Sequence, residues 1–382
     1  MEDDETGLTA NESRPLPTLL DEAALERVAG VLVGLGVGDA LGVPYEFNDV
    51  RAASAHPPEM LGGGLGPYAP GEYSDDTQMA VCIAGVMASR NDPSSRKILD
   101  GIGAAFLHWA ADGASDMGNL TARVLTTAIN SSGFPTSNLG SIAGRDYREH
   151  DQSAGNGALM RTAPVALWGL ALEMDYAPDC SERRELIARA ARLVAGLTHA
   201  DPLAGDSCVL WCEAIRVAVL EERLDMRAGL DLLPEEREEY HRGSVRPRSW
   251  WERLLDEADP TDSELMRKNG STFGALRAAW SAIGSTTGSG EAHIRAALEK
   301  AINWGHDTDT VAAIAGSLLG ARWGVSAMPE EWLRMVHGWS GVPDRSVFRA
   351  ADLARLGLAI ARGGSPSHEA EALWKRLAGG TP

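Results

Sequence analysis

The chain has 382 residues, 44% of them hydrophobic and 23% charged, with a formal net charge of −19 and a sequence pI near 4.9. That apolar content suffices for a real core, in one large domain or two ordinary ones. The acidic balance argues against general nucleic-acid binding and against anionic membranes, so an anionic ligand would need a local device such as cations or backbone N–H groups.

Met1 to Asp21 is acidic and contains prolines, which reads as a disordered lead-in without a secretory pattern. Beyond it the pattern is helical almost throughout. Amphipathic Ala-, Leu- and Arg-rich segments recur at 22–38, 76–90, 96–112, 119–129, 184–197, 205–222, 294–304, 309–322 and 350–362. Period-two runs of β-branched residues are nearly absent, so strands find little support. The expectation is a compact all-α, single-domain multi-helix bundle over residues 22–382. Gly34, Gly38 and Gly42 lie four apart on the first helix and its exit, a spacing that lets a neighbouring backbone come close. Uncharged apolar stretches read as shorter than the ~20 residues of a membrane span. Four cysteines (Cys82, Cys180, Cys208, Cys212) form no pairing framework, and Cys208 and Cys212 flank Trp211 as buried free thiols would. A soluble, cytoplasmic monomer in a reducing compartment is expected.

Glycine and proline collect in the connections. Pro57 to Gly71 leads to one acidic cluster, and Ser131 to Gly157 reads as a second long loop. Residues 234–270 form a charged block containing Arg246-Pro-Arg-Ser-Trp-Trp251, expected as a surface excursion with its own short helix. Gly284 to Gly290 looks like a flexible connector.

Two acidic clusters carry most of the chemical signal. They are Ser74-Asp75-Asp76-Thr77 and Asp307-Thr308-Asp309-Thr310, each opening an apolar run. Either is open to a plain reading as a helix N-cap with first-turn acids. If the fold joins them, four carboxylates and several hydroxyls face one point and repel unless cations neutralise them. Hard oxygen donors suit Mg²⁺, Mn²⁺ or Ca²⁺. Glu46, after Gly42-Val-Pro-Tyr45, reads as a general acid/base or as a solvated loop residue. Gly155-Asn-Gly157 is a phosphate cradle at a helix start or a simple turn. Arg161 is a candidate for binding phosphate or carboxylate. His199 is a cap, a core hydrogen-bonding residue or a ligand contact.

Taken together, five segments in order resemble the ADP-ribosylglycohydrolase family, enzymes related to the dinitrogenase reductase activating glycohydrolase. They are Gly34-Leu-Gly-Val-Gly-Asp-Ala-Leu-Gly-Val-Pro-Tyr-Glu-Phe47, Tyr73-Ser-Asp-Asp-Thr-Gln-Met79, Gly155-Asn-Gly-Ala-Leu-Met-Arg161, Thr198-His-Ala-Asp-Pro202, and Gly305-His-Asp-Thr-Asp-Thr310 with Gly316 to Gly324. The resemblance implies a binuclear Mg²⁺ or Mn²⁺ centre held by Ser74, Asp75, Asp76, Asp307, Asp309 and Thr310. It implies Glu46, Asp75 and Asp309 as catalytic carboxylates, with Glu46 an acid/base or a gate. Gly155, Asn156 and Gly157, with His199 and His306, would lie along ADP-ribose. The implied reaction is hydrolysis at C1″ of an ADP-ribosylated protein or small molecule, arginine-linked favoured. The alternatives are O-linked or nucleobase-linked conjugates, a non-catalytic ADP-ribose-binding protein or a Mg²⁺-dependent phosphohydrolase acting on a nucleotide, with a structural calcium protein last. Two positions depart from the family pattern: Ser74 replaces a usual Thr, and His306 replaces the second glycine before Asp307.

Overall fold

Two apolar helices run antiparallel through the centre of the molecule and place the functional segments at one end. The structure, a computed structural model, describes residues 20–47, 57–88, 94–112, 114–175, 180–257, 262–341 and 347–362. The lead-in, apart from its last two residues, and the chain after residue 362 lie outside these. The helices in chain order are α1 Glu22–Gly42, α2 Asp75–Met87, α3 Arg96–Ala111, α4 Asn119–Ala128 and α5 Pro135–Glu149. They continue with α6 Ala163–Asp175, α7 Cys180–Ala195, α8 Pro202–Glu221, α9 Pro247–Asp256 and α10 Ser263–Met266. Last come α11 Thr272–Gly284, α12 Gly290–Asn303, α13 Thr308–Trp323, α14 Glu330–Met335 and α15 Ala350–Ala361. Among the described residues the strands are limited to two antiparallel ribbons, β1 Arg237–Glu239 with β2 Gly243–Val245 and β3 His337–Gly338 with β4 Phe348–Arg349. The fold is all-α, as the periodicity indicates.

Helix α1 starts where Asp21 accepts the amide of Ala24 at 2.7 Å. From Val28 to Val43 every residue is buried. Continued through Tyr45, this helix has the length and apolar composition of a membrane span, which corrects the expectation that no stretch reaches that length. Its burial supplies the reason: 89% of the apolar window lies inside the fold, and a helix apolar on all sides is a core helix in a globular protein. The glycine spacing does what it suggested. A Cβ on Gly34 would stand 2.2 Å from the carbonyl oxygen of Gly316, so α1 and α13 meet backbone to backbone. At the end of this contact, a Cβ on Gly42 would stand 2.4 Å from Cα of Asp309. Among the described residues, buried side chains from all fifteen helices join one contiguous apolar core.

One expectation about loops needs correction. The stretch 131–157 contains α5, whose buried stripe is Leu139, Ala143 and Asp146. The block 234–270 contains a short helix of its own, α9, as expected, and it is docked against the rest of the fold. Arg237 pairs with Asp206 at 2.7 Å, Arg242 pairs with Asp201 at 2.5 Å, and Trp251 is fully buried. Beyond α10 the same block brings Asn269 against the second acidic cluster. Cys82, Cys208 and Cys212 are buried free thiols.

Candidate active site

Asp39, an acid in the last turn of the apolar first helix, organises the first cluster. One of its oxygens accepts the Ser74 amide at 2.9 Å, and the other accepts the Thr77 amide at 3.0 Å and hydroxyl at 2.6 Å. Asp39 thereby caps α2 from outside. Ser74 holds the N-cap position, but its hydroxyl makes no capping bond; it lies 3.3 Å from Asp76 Oδ2 and 3.4 Å from Asp309 Oδ2. Asp307 likewise holds the N-cap position of α13 without a side-chain cap, and its Oδ2 accepts from Asn156 Nδ2 at 2.7 Å. The Thr310 hydroxyl donates to Asp76 Oδ2 at 3.3 Å. Both clusters begin helices, but their side chains turn towards each other across more than two hundred residues of sequence.

Glu46 completes the group. It follows the short 3-10 turn Val43–Tyr45 and is buried, and one carboxylate oxygen each of Glu46, Asp307 and Asp309 lie within 4.8 Å of one another. The solvated-loop alternative for Glu46 is therefore set aside. Burial, then the charge of Asp307, pushes its carboxyl up to about 9. Burial and neighbouring carboxylates hold Asp75, Asp76 and Asp309 well above the usual carboxylate range, and Asp39 is pushed up to about 6, chiefly by burial.

These groups open onto a cleft of about 470 Å³. Its lining joins Glu46, Asp75, Asp307, Asp309 and Thr310 to the turn Gly155–Gly157 and to His199. Ser74 and Asp76 stand behind that lining. The turn is held in place from two sides. Thr272 donates its amide to Ala154 O at 2.8 Å, and Asn156 Nδ2 also donates to Asn269 O at 3.1 Å. A Cβ on Gly157 would stand 3.0 Å from His199 Cε1, so the imidazole lies directly against the turn.

The donor set fits a hard divalent cation. Every side chain in the cluster offers oxygen, and Asp76 Oδ1 is fully buried with no hydrogen-bond partner among the described residues. Buried carboxylates this close either stay protonated or are neutralised by cations.

Two sequence candidates stand elsewhere than on the cleft. Arg161 is fully buried in the core, its guanidinium 4.5 Å over the Phe106 ring, and takes no carboxylate partner among the described residues. His306 is exposed behind the cleft wall. Its Nδ1 pairs with Asn269 Oδ1 at 3.1 Å, and its ring packs edge-on against Phe47 with centroids 4.6 Å apart. Phe47 itself lines the cleft.

Sequence reasoning assigned no role to Asp39, Phe47, Asn269 or Asp116, which also lines the cleft. A lone acid within the otherwise uncharged stretch from Val28 to Gly42 was a usable signal for Asp39. Nothing local marked Asn269, which also donates to Gly305 O at 3.0 Å and accepts the Asp307 amide at 3.2 Å.

The family model for ADP-ribosylglycohydrolase matches residues 20–365. The chain is 30% identical over 338 residues to ADP-ribosylarginine hydrolase Tri1 of Pseudomonas putida (strain GB-1), covering 85% of this chain and 77% of that one. It is 26% identical to the ADP-ribosyl-dinitrogen reductase glycohydrolase of Rhodospirillum rubrum, over 81% of this chain and 89% of that one. With ADP-ribosylhydrolase ARH3 of Homo sapiens it shares 25% identity, over 83% and 90% respectively. A solved ADP-ribosylglycohydrolase-related protein complex matches with a TM-score of 0.60 at 27% identity, over 90% of this chain and 100% of that one. The chain belongs to the ADP-ribosylglycohydrolase family.

Proposed function

We propose that the protein is a metal-dependent hydrolase that cleaves the C1″ bond of ADP-ribose conjugates and releases ADP-ribose, with arginine-linked substrates favoured. The observation that carries this reading is the convergence of Glu46, Asp75, Asp307 and Asp309 on one cleft that the Gly155–Gly157 turn also lines. An acidic cleft attracts a cationic guanidinium, and the name of the Pseudomonas putida relative points to the same substrate class. Ser74, Asp75, Asp76, Asp307, Asp309 and Thr310 would hold two Mg²⁺ or Mn²⁺, which when bound offset four carboxylate charges and polarise an oxygen of water or ribose.

The chain's own groups then divide the work. Glu46, whose carboxyl is raised first by burial and then by the charge of Asp307, delivers a proton to the departing nitrogen as the bond to C1″ breaks. Positive charge grows on C1″, and the Asp75 and Asp309 carboxylates oppose it. Water adds its oxygen to C1″ and returns a proton to Glu46. The Gly155–Gly157 turn presents backbone N–H groups to the diphosphate, a local device against a net charge of −19. The partners are ADP-ribosylated proteins or small molecules, met by a cytoplasmic monomer.

The test is release of free ADP-ribose from arginine-, serine- and nucleobase-linked conjugates, with Mg²⁺ or Mn²⁺ and with chelator. Metal-dependent release from the arginine conjugate supports the reading. Release only from another conjugate moves the acceptor, and tight ADP-ribose binding with no release from any would make the protein a binding module.

A further inference from the structure

The Thr198 hydroxyl stands between two nitrogens in a fully buried position. Arg161 Nη2 lies 2.7 Å away on one side and His199 Nδ1 2.7 Å away on the other. A guanidinium is a donor only, so the Thr198 oxygen accepts from Arg161. The hydroxyl proton then has one acceptor within reach among the described residues, His199 Nδ1. Were Nδ1 itself protonated, that hydroxyl proton would be buried without a partner, which is costly. Nδ1 is therefore the acceptor, and the ring proton of the neutral imidazole sits on Nε2.

Nε2 is on the cleft side. A Cβ on Gly155 would stand 3.4 Å from it and one on Gly157 3.2 Å, and His199 lines the cleft. No protein acceptor meets it among the described residues. The donor at the far end of the relay is held rigidly. Arg161 packs over Phe106, and its Nη1 reaches Met79 Sδ at 3.3 Å. Burial, then the charges of Arg161 and Arg123, holds the imidazole well below its ordinary protonation range, consistent with a neutral ring.

We infer that Arg161 and Thr198 are positioning residues that fix His199 as its Nε2–H tautomer, so that it donates a hydrogen bond into the cleft to an oxygen of the bound nucleotide ligand. The relay stands on the hydrogen-bond geometry; the identity of the ligand rests on the function proposed above. The arrangement also reconciles two readings of His199, since one ring nitrogen makes a core hydrogen bond while the other faces ligand. It gives Arg161 a role that needs no contact with phosphate.

The experiment is long-range ¹⁵N–¹H NMR of the full chain with Mg²⁺ at pH 7, paired with ADP-ribose titration by calorimetry. The expected wild-type signature is an unprotonated Nδ1 and a protonated Nε2. Thr198→Val is expected to abolish that signature and weaken ADP-ribose binding about tenfold, equivalent to about 1.4 kcal/mol, and Thr198→Ser to restore both. A wild-type Nδ1–H tautomer or an imidazolium overturns the inference, even if the valine variant fails to fold. So does a valine variant with unchanged signature and affinity. If the wild type shows the Nε2–H signature but does not bind ADP-ribose, the relay stands, and the ligand assignment fails with the proposed function.

Discussion

The backbone amide of Phe47 donates to the carbonyl of His306 across 2.7 Å, and both residues adopt left-handed backbone, with φ of 48° and 67°. This bond ties the residue after Glu46 to the residue before Asp307. Left-handed backbone costs a non-glycine residue about 1–2 kcal/mol. At His306 the hydrogen bond to Asn269 and the edge contact with Phe47 each return about 0.5–1.5 kcal/mol. These terms nearly cancel. His306→Gly is therefore expected to leave stability within about 1 kcal/mol of wild type in a urea melt. Turnover should fall several-fold, because the ring that supports Phe47 on the cleft is removed while the backbone bond to Phe47 remains. An equal loss of stability and turnover would mean that His306 serves the fold alone.

Asp39→Asn is expected to damage the site from behind. The carboxylate receives three hydrogen bonds from Ser74 and Thr77, and an amide group turns an NH₂ towards one set of those donors. The loss should be about 2–4 kcal/mol in chemical denaturation, as for charged buried hydrogen bonds. Because Asp39 holds the start of α2, Mn²⁺ titration should show weaker binding even though Asp39 is not a proposed ligand. Unchanged Mn²⁺ affinity in a folded variant would remove Asp39 from the site's support.

The parts visible in the sequence were those whose meaning is local. Acidic residues opening an apolar run, glycines four apart and the Gly155–Gly157 turn each carry their signal within a few residues. Helix α5 was hidden because Gly140 and Gly144 dilute a buried stripe of only three residues. Arg161 looked like a ligand residue because nothing in its neighbourhood reveals that Phe106 and Thr198 enclose it. Asn269 and the Phe47–His306 bond are long-range facts. They appear only once α13, the 234–270 block and the end of α1 are packed together.

Removing divalent cations should make stability fall with rising pH. The buried carboxyls have folded-state values above the ~4 of an unfolded chain. Their contribution is therefore fully present below about pH 4 and is lost as pH rises through the folded values, near 6 for Asp39 and near 9 for Glu46. Thermal melts in chelator should show a decline over that window. The rise in melting temperature on adding Mg²⁺ should grow with pH, since the cation replaces protons. A Mg²⁺ effect that is constant from pH 5 to 9 would contradict a carboxylate centre.

Gly34 and Gly42 separate fold from function along the same helix contact. In either position an added methyl meets backbone, at 2.2 Å from Gly316 O and 2.4 Å from Asp309 Cα respectively, and neither neighbour can swing aside as a side chain would. Both Gly34→Ala and Gly42→Ala should therefore destabilise by about 1–3 kcal/mol or more through overpacking. Their effects on chemistry should differ. Gly34 faces mid-helix α13, remote in sequence from the acidic cluster, and its variant should keep near-wild-type turnover per folded molecule. Gly42 abuts Asp309 itself, while its carbonyl accepts the Thr308 hydroxyl at 2.8 Å. Displacing this contact moves a carboxylate that must hold position within about 0.5 Å. Turnover of the folded Gly42 variant should drop at least tenfold with weaker Mn²⁺ binding, measured where circular dichroism shows both variants folded. Equal turnover in the two would mean that the α1–α13 contact sets stability without setting the geometry of Asp309.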